Sequence, residues 1–258
     1  MPVHPTALVD PGASIAATAE IGPYCIVGAQ VEIGAGTRLM ANVYLEGPTT
    51  IGEDNIFYPY STVGVAPQDL KYKGEVSETR IGRRNKIREF VTIHRGTEGG
   101  GMLTRIGDDN LLMAYVHIAH DVQVGNGAVL GHGATLGGHV TVGDQANIGA
   151  FSGVHQFCRV GRSAIVGGYS VITQDVLPFS STVSERENHI FGANKVGLER
   201  RGFSTELIEQ LQTTFRLLTR SRLNTSQAIE RIRTEVPKSP ELEELIEFIH
   251  SSKRGYVK

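Results

Sequence analysis

Four histidines in this chain have the type and spacing for chemistry. His117 and His120 flank Ile118 in the run Val116-His117-Ile118-Ala119-His120-Asp121. His139 sits in Gly137-Gly138-His139-Val140, and His155 in Val154-His155-Gln156-Phe157. One chemistry open to them is general base catalysis, in which an imidazole titrating near the operating pH takes a proton from an attacking hydroxyl. The other is metal binding, since trimeric β-helices can assemble a three-histidine zinc site across subunits. No serine–histidine–aspartate motif and no phosphate-binding loop competes with these readings. Gly131, Gly133, Gly137 and Gly138 imitate a nucleotide fingerprint, but Gly131 and Gly137 belong to a repeat that accounts for them. Arg83-Arg84 and Arg200-Arg201 are the only signals for nucleic acid, which is not expected as a partner.

Whether the histidines meet depends on the elements that carry them. Stepping by six from Val9 reaches Ile15, Ile21, Val27 and onward to Val63. The same phase resumes at Ile81, Ile87 and Ile93, and a second train runs from Ile106 to Ile172. Of these 25 positions 24 are aliphatic and one is Phe57, and glycine follows the marker in 14 cases. A period of six fits neither a 3.6-residue helix nor simple alternation. It fits a triangular coil of three short faces, each turning one aliphatic side chain inward, with coils stacked about 4.8 Å apart. The expected fold is mainly β, a parallel β-helix of hexapeptide repeats, which winds left-handed in the known proteins of this kind. Glycines near the corners relieve crowding. One coil is 18 residues, so position 120 stacks beneath 138, and His139 and His155 follow along the same edge.

Two breaks interrupt the rhythm. Between Val63 and Ile81 the frame is kept, but Asp69 and Glu75 occupy marker positions, so Ala66 to Gly74 should loop out. Between Ile93 and Ile106 the spacing is thirteen, and His94-Arg95-Gly96-Thr97 with Gly99-Gly100-Gly101 forms a second excursion. These loops fall near 64–80 and 94–105, and loops on a rigid scaffold often carry function. The repeat fades after Ile172. Thr205 to Arg220 then has Leu207, Ile208, Leu211, Phe215 and Leu218 on one helical face. Asn224 and Gln227 form a capping box, Ser239-Pro240 starts a further helix, and Gly255 is expected to end it. The reading is a β-helix over 1–193 and a C-terminal α-helical domain over 194–258. Residues 194–258 hold 12 basic and 9 acidic side chains, a net +3, against −5 for the first 193. A basic appendage suits an anionic partner.

Composition narrows the classes further. The 258 residues include 31 glycines and no tryptophan, with 40% hydrophobic and 20% charged residues and a net charge of −2. Collagen is excluded because the glycines do not fall every third residue. Cys25 and Cys158 make no disulfide framework, and no CxxC pair suggests zinc. There is no apolar run long enough to span a bilayer. The start, Met-Pro-Val-His-Pro-Thr, lacks the features of a signal peptide, so a cytoplasmic location is expected.

Six motifs together resemble the UDP-N-acetylglucosamine acyltransferases that begin lipid A biosynthesis. They are Gln68-Asp69-Leu70-Lys71-Tyr72, Ile93-His94-Arg95-Gly96-Thr97, His117-Ile118-Ala119-His120-Asp121, Gly138-His139-Val140, Val154-His155-Gln156-Phe157 and Arg200-Arg201-Gly202-Phe203. The resemblance covers essentially the whole chain. It implies transfer of a 3-hydroxyacyl chain from acyl carrier protein to the 3-hydroxyl of UDP-N-acetylglucosamine, with no cofactor and no metal. His120 would be the general base, and the backbone N–H of Gly138 would stabilise the oxyanion. Gln68, Asp69, Lys71, His117, His139, His155 and Gln156 would line the sugar and phosphate site. Asn194, Arg200 and Arg201 would meet the uridine and diphosphate. Gly168 and His189 would end the acyl groove, and glycine at 168 leaves room for a long chain. Members are homotrimers with sites between neighbouring prisms, and the acidic carrier protein gives the basic domain a partner. Two departures stand out: Val196 where the family commonly has glutamate, and Gly131-His132-Gly133 where it often has an asparagine pair. They leave open a 3-amino sugar as the acceptor.

Overall fold

The computed structural model describes residues 3–184 and 188–257. Each hexad forms a short strand followed by a corner, and three of them close a coil. Equivalent strands of successive coils pair in parallel, giving three sheets of nine, eight and ten strands. The first face runs from Leu8–Val9 through His117–Ile118, Thr135–Leu136 and Gly153–Val154 to Val171–Ile172. A second face includes Gln123–Val124, Thr141–Val142 and Arg159–Val160, and the third Val129–Leu130, Asn147–Ile148 and Ile165–Val166. The chain is a left-handed parallel β-helix.

Register follows the expected step of 18: Val9 lies opposite Val27, Ile118 opposite Leu136, and Leu136 opposite Val154. Every marker from Ile21 to Ile172 is at most 3% exposed. Each buried aliphatic stabilises the prism by about 1.5–3 kcal/mol relative to exposure. The glycines after the markers answer to crowding between coils: a Cβ on Gly22 would run into the carbonyl of Met40 above it. The tight turns themselves fall three residues after the marker and are mostly not glycine. Tyr24, Asp54, Asp121, His139 and Phe157 all have left-handed φ between 56° and 66°.

The two excursions leave the prism without breaking it. Val63 pairs with Ile93, a step of 30 where 18 would close a coil, so the first inserts twelve residues. Ile81 pairs with Ile106, a step of 25, so the second inserts seven. Strands Thr62–Val65 and Glu78–Ile81 bound the first loop. Strands Thr92–His94 and Leu103–Ile106 bound the second, which contains a single 3₁₀ turn, Glu98–Gly100. Beyond Ile172 the third face is capped by an antiparallel hairpin, Ser180–Ser184 with Asn188–Ala193, which the hexad pattern did not foretell.

Four helices follow: α1 (Lys195–Arg200), α2 (Thr205–Thr219), α3 (Thr225–Glu235) and α4 (Pro240–Ser251). Asn224 and Gln227 form the expected capping box on α3, and Ser239 caps α4 ahead of Pro240. Gly255 does not end α4. The helix stops at Ser251, and Gly255, with φ of 75°, turns the tail so that Tyr256 bridges back to Asp175. Polar contacts fix the helices to the last coils: Arg162 grips the Glu244 carboxylate, and Arg159 reaches Asp175, Ser251 and the Phe248 carbonyl. Among the described residues no helix is long and apolar enough to cross a membrane.

Candidate active site

The histidines gather where the first face turns into the second. Here a cleft of about 490 Å³ crosses the first face, lined by Gln68, His94, His117, His120, Gly138 and His155 among others. That is within the range of small-ligand pockets. A larger groove of about 630 Å³ lies at the first coils around His4, Glu20 and Arg38, remote from this group.

His120 is held from two sides. Its Nδ1 lies 2.8 Å from Oδ2 of Asp121, whose side chain is fully buried. The left-handed corner at Asp121 turns that carboxylate into the stack beside its own neighbour. Thr97 of the second excursion donates its backbone N–H to Oδ1 at 2.8 Å and its hydroxyl to Oδ2. The 3₁₀ turn then closes over it: a Cβ on Gly100 would collide with the carboxylate. With Nδ1–H given to Asp121, the Nε2 lone pair is left for another proton. In the coil above, a Cβ on Gly138 would fall 2.6 Å from Cε1 and 2.8 Å from Nε2 of His120, so that position has no room for a side chain. The Gly138 N–H donates to no protein acceptor among the described residues.

Its neighbours are kept neutral. Burial pushes His117 below the ordinary imidazole range, with His120 adding to the effect, and its Nδ1 pairs with Thr92 Oγ1 at 2.7 Å. Burial also lowers His139, opposed by the Asp121 charge; its ring is edge-on to His120 and stacked on Phe157 at 4.3 Å. His94, 4% exposed, is pushed down to about 4, first by burial and then by His117 and His120. Its Nδ1 is buried without a hydrogen-bond partner among the described residues.

The expected site residues divide into two sets. Gln68, His117, His120, Gly138, His155 and Gln156 line the cleft, and His139 stands behind His120. Asp69 and Lys71 lie on the first excursion, within electrostatic reach of His139. His155 Nδ1 lies 3.1 Å from the Gln156 carbonyl, which also accepts from Arg254 of the C-terminal tail at 2.7 Å. Gly168 is exposed at the opposite edge of the same face, three residues before Val171, which lines the cleft. The second set is elsewhere. Asn194 donates to the Ser163 carbonyl and Arg201 to the Gln145 carbonyl, both at the corner between the second and third faces, with Arg200 exposed beside them. At about 3.3 Å per residue that corner is on the order of 15–20 Å from His120. His189 pairs through its backbone with Val183, and its side chain lies outside the described part.

The structure adds three residues to those expected at the site: Asp121 holding the His120 ring, Thr97 bonded to Asp121, and His94 in the cleft wall. The adjacency His120-Asp121 and the motif Ile93-His94-Arg95-Gly96-Thr97 were the available signals. Among the described residues no three histidines bring ligand atoms together as a metal site would need. The nearest potential metal-ligand set is His120, Asp121 and His139, with their ligand atoms within 4.8 Å of one another.

Stacked hexapeptide coils followed by a C-terminal helical region place the chain among the hexapeptide-repeat acyltransferases. Residues 103–138 match the bacterial transferase hexapeptide family model, and residues 175–257 match that of UDP-N-acetylglucosamine O-acyltransferase, domain 2. An acyl-[acyl-carrier-protein]--UDP-N-acetylglucosamine O-acyltransferase of Thermodesulfovibrio yellowstonii is 47% identical over 98% of both chains. The solved UDP-N-acetylglucosamine O-acyltransferase of Moraxella catarrhalis is 44% identical with a TM-score of 0.96, covering 100% of both chains. That of Bacteroides fragilis is 40% identical with a TM-score of 0.96, covering 99% of this chain and 100% of the other. The chain belongs to the UDP-N-acetylglucosamine O-acyltransferase family.

Proposed function

We propose that the chain transfers a 3-hydroxyacyl group from the thioester of acyl carrier protein to the 3-hydroxyl of UDP-N-acetylglucosamine, the first step of lipid A biosynthesis. The observation that carries the mechanism is the His120–Asp121 pair with Nε2 unengaged beneath Gly138. His120 Nε2 takes the proton of the sugar hydroxyl as its oxygen bonds to the thioester carbonyl carbon. Charge builds on the carbonyl oxygen, where the Gly138 N–H is free to donate. Collapse breaks the C–S bond, and His120 returns the proton to the departing thiolate. Asp121 holds the imidazole and favours its protonated form in passing. Carrier-protein thioester is the acyl donor, and no cofactor enters the scheme.

Asn194, Arg200 and Arg201 are proposed to act from a neighbouring copy in a homotrimer. Support comes from their distance from His120 within one chain and from an exposed ladder of Tyr60, Phe90, Tyr115, Phe151 and Tyr169 along one prism edge. Exposed apolar runs of that extent mark interaction surfaces. Gln68, Asp69, Lys71, His117, His139, His155 and Gln156 would hold the sugar and phosphates, and Gly168 and His189 the chain end. The division at 193/194 and a cytoplasmic location belong to the same reading.

The test is the purified protein with a panel of carrier-protein thioesters and both the 3-hydroxy and 3-amino UDP-sugars, read by mass spectrometry. Transfer to the amine alone, or to neither sugar, would defeat the assignment. For the shared site, His120→Ala and Arg201→Ala chains are co-expressed. Random reassortment should restore about a quarter of wild-type activity if each site draws on two copies. No restoration would place both residues in one copy's site.

A further inference from the structure

The first excursion carries Gln68, Asp69 and Lys71, yet little apolar packing holds it down. Leu70 is fully exposed and Val76 is 75% exposed; between Ala66 and Val76 only Pro67 is buried. A loop of this kind should be mobile at its functional end. What fixes it is a polar pin. Arg95 follows His94 at the root of the second excursion, and its side chain is only 14% exposed. Its Nε and Nη2 donate to Tyr72 Oη at 3.2 and 2.9 Å. Nη1 donates to the Gly64 carbonyl and Glu46 Oε1, each at 3.0 Å, and to the Gly47 carbonyl at 3.3 Å. Tyr72 passes the connection on by donating to the Glu75 carbonyl at 3.1 Å. A second tie runs from the Glu98 N–H to Glu75 Oε1 at 3.4 Å. Arg95 itself is not among the residues lining the cleft.

We infer that Arg95 is a positioning residue for the acceptor substrate, acting through Tyr72 to hold the Gln68–Lys71 segment over the cleft. A guanidinium is suited to this because its planar fork engages several acceptors in fixed directions, and a lysine ammonium cannot span them. Burying the charge is tolerable only while these acceptors surround it. The inference rests on the reading that Gln68, Asp69 and Lys71 bind the sugar nucleotide. It adds that their placement is set from beneath, by a residue that touches no substrate.

The experiment compares Arg95→Met, Arg95→Lys, Tyr72→Phe and Lys71→Ala by steady-state kinetics, with melting temperatures recorded alongside. Arg95→Met should raise KM for the sugar nucleotide about tenfold while kcat stays within about twofold, the pattern of lost binding rather than lost chemistry. Arg95→Lys should recover part of that loss. Tyr72→Phe, the gentler change should Arg95→Met fail to fold, should shift KM in the same direction. Added to Arg95→Met, it should do nothing further, because both act through one contact. Limited trypsin digestion should cut Arg95→Met faster after Lys71 and Lys73. An unchanged KM in Tyr72→Phe, or full additivity of the two changes, would overturn the role of Arg95. An unchanged KM in Lys71→Ala would instead remove the underlying reading of the loop.

Discussion

Two corners of the same prism carry buried polar stacks with opposite purposes. Between the second and third faces, Thr37, Asn55, Asn85 and Asn110 rise one above another, none more than 1% exposed. Asn55 Oδ1 accepts from the Asn85 N–H, Asn85 Oδ1 from the Asn110 N–H and Asn110 Oδ1 from the Ala128 N–H, at 2.9, 2.8 and 2.7 Å. Their amide groups donate to the Gly82 and Gly107 carbonyls and to one another. Every bond closes on the protein. Between the first and second faces the stack of Asp121, His120 and His139 is as regular in position but left open: Nε2 of His120, the Gly138 N–H and Nδ1 of His94 await partners. Elsewhere among the described residues only the hydroxyls of Ser77 and Thr79, at the foot of the first excursion, are buried and unpaired. The corners differ in burial as well as in pairing: the side chains of His120 and His139 are 12% and 19% exposed, whereas the asparagines are shut away.

That contrast can be broken at several points. The largest effect belongs to His120→Ala, which should lower kcat by about 10²–10⁴-fold with an unchanged melting temperature, the range general base catalysis is worth. Substantial retained turnover would remove His120 from the chemistry. Gly138→Ala comes next. Its methyl group displaces the imidazole, and about 10²-fold should be lost from kcat while stability is kept; the check is turnover beside thermal melting.

At the closed corner the order reverses. Asn85→Ala orphans the buried Asn110 N–H and should lower stability by about 2–4 kcal/mol, with activity per folded molecule intact. Denaturant unfolding paired with active-site titration would show it, and an equal loss of turnover would mean the two corners are coupled. The last effect is in pH. His94 stays neutral in the fold down to about 4, whereas in the unfolded chain it takes up a proton near 6.5. Below 6.5 the unfolded state binds more protons, so stability should fall on acidification by up to about 1.4 kcal/mol per pH unit and level off below about 4. His94→Asn should make this slope shallower, the remainder coming from His117 and His139, whose imidazoles burial also lowers, and Asn85→Ala should leave it unchanged.

Much of this was readable in advance, and the parts that were not share a cause. The hexad markers gave the coil, the apolar stripe from Leu207 to Leu218 gave α2, and the cap residues gave α3 and α4. The first excursion was recognisable from Asp69 and Glu75 at marker positions. Its size was hidden, because twelve inserted residues are two whole hexads and leave the count undisturbed; the Val63–Ile93, Ile51–Ile81 and Phe57–Ile87 pairings expose it. Asp121 stood in plain view after His120, yet its role comes from Thr97 and Gly100, seven inserted residues folded back over it.

The resemblance assigned Asn194, Arg200 and Arg201 to the uridine and diphosphate, in sites between neighbouring prisms; within one chain the fold sets them a corner away from His120. The sequence by itself determined the period, the inward aliphatic rows, the helix caps and the residues able to take a proton, because each depends on neighbours a few positions apart. Tertiary structure alone decided which polar atoms find partners, since partners arrive from coils 18 to 30 residues distant and from loops that leave the repeat. The position of the His120 ring is set by that closure and by the space Gly138 leaves above it.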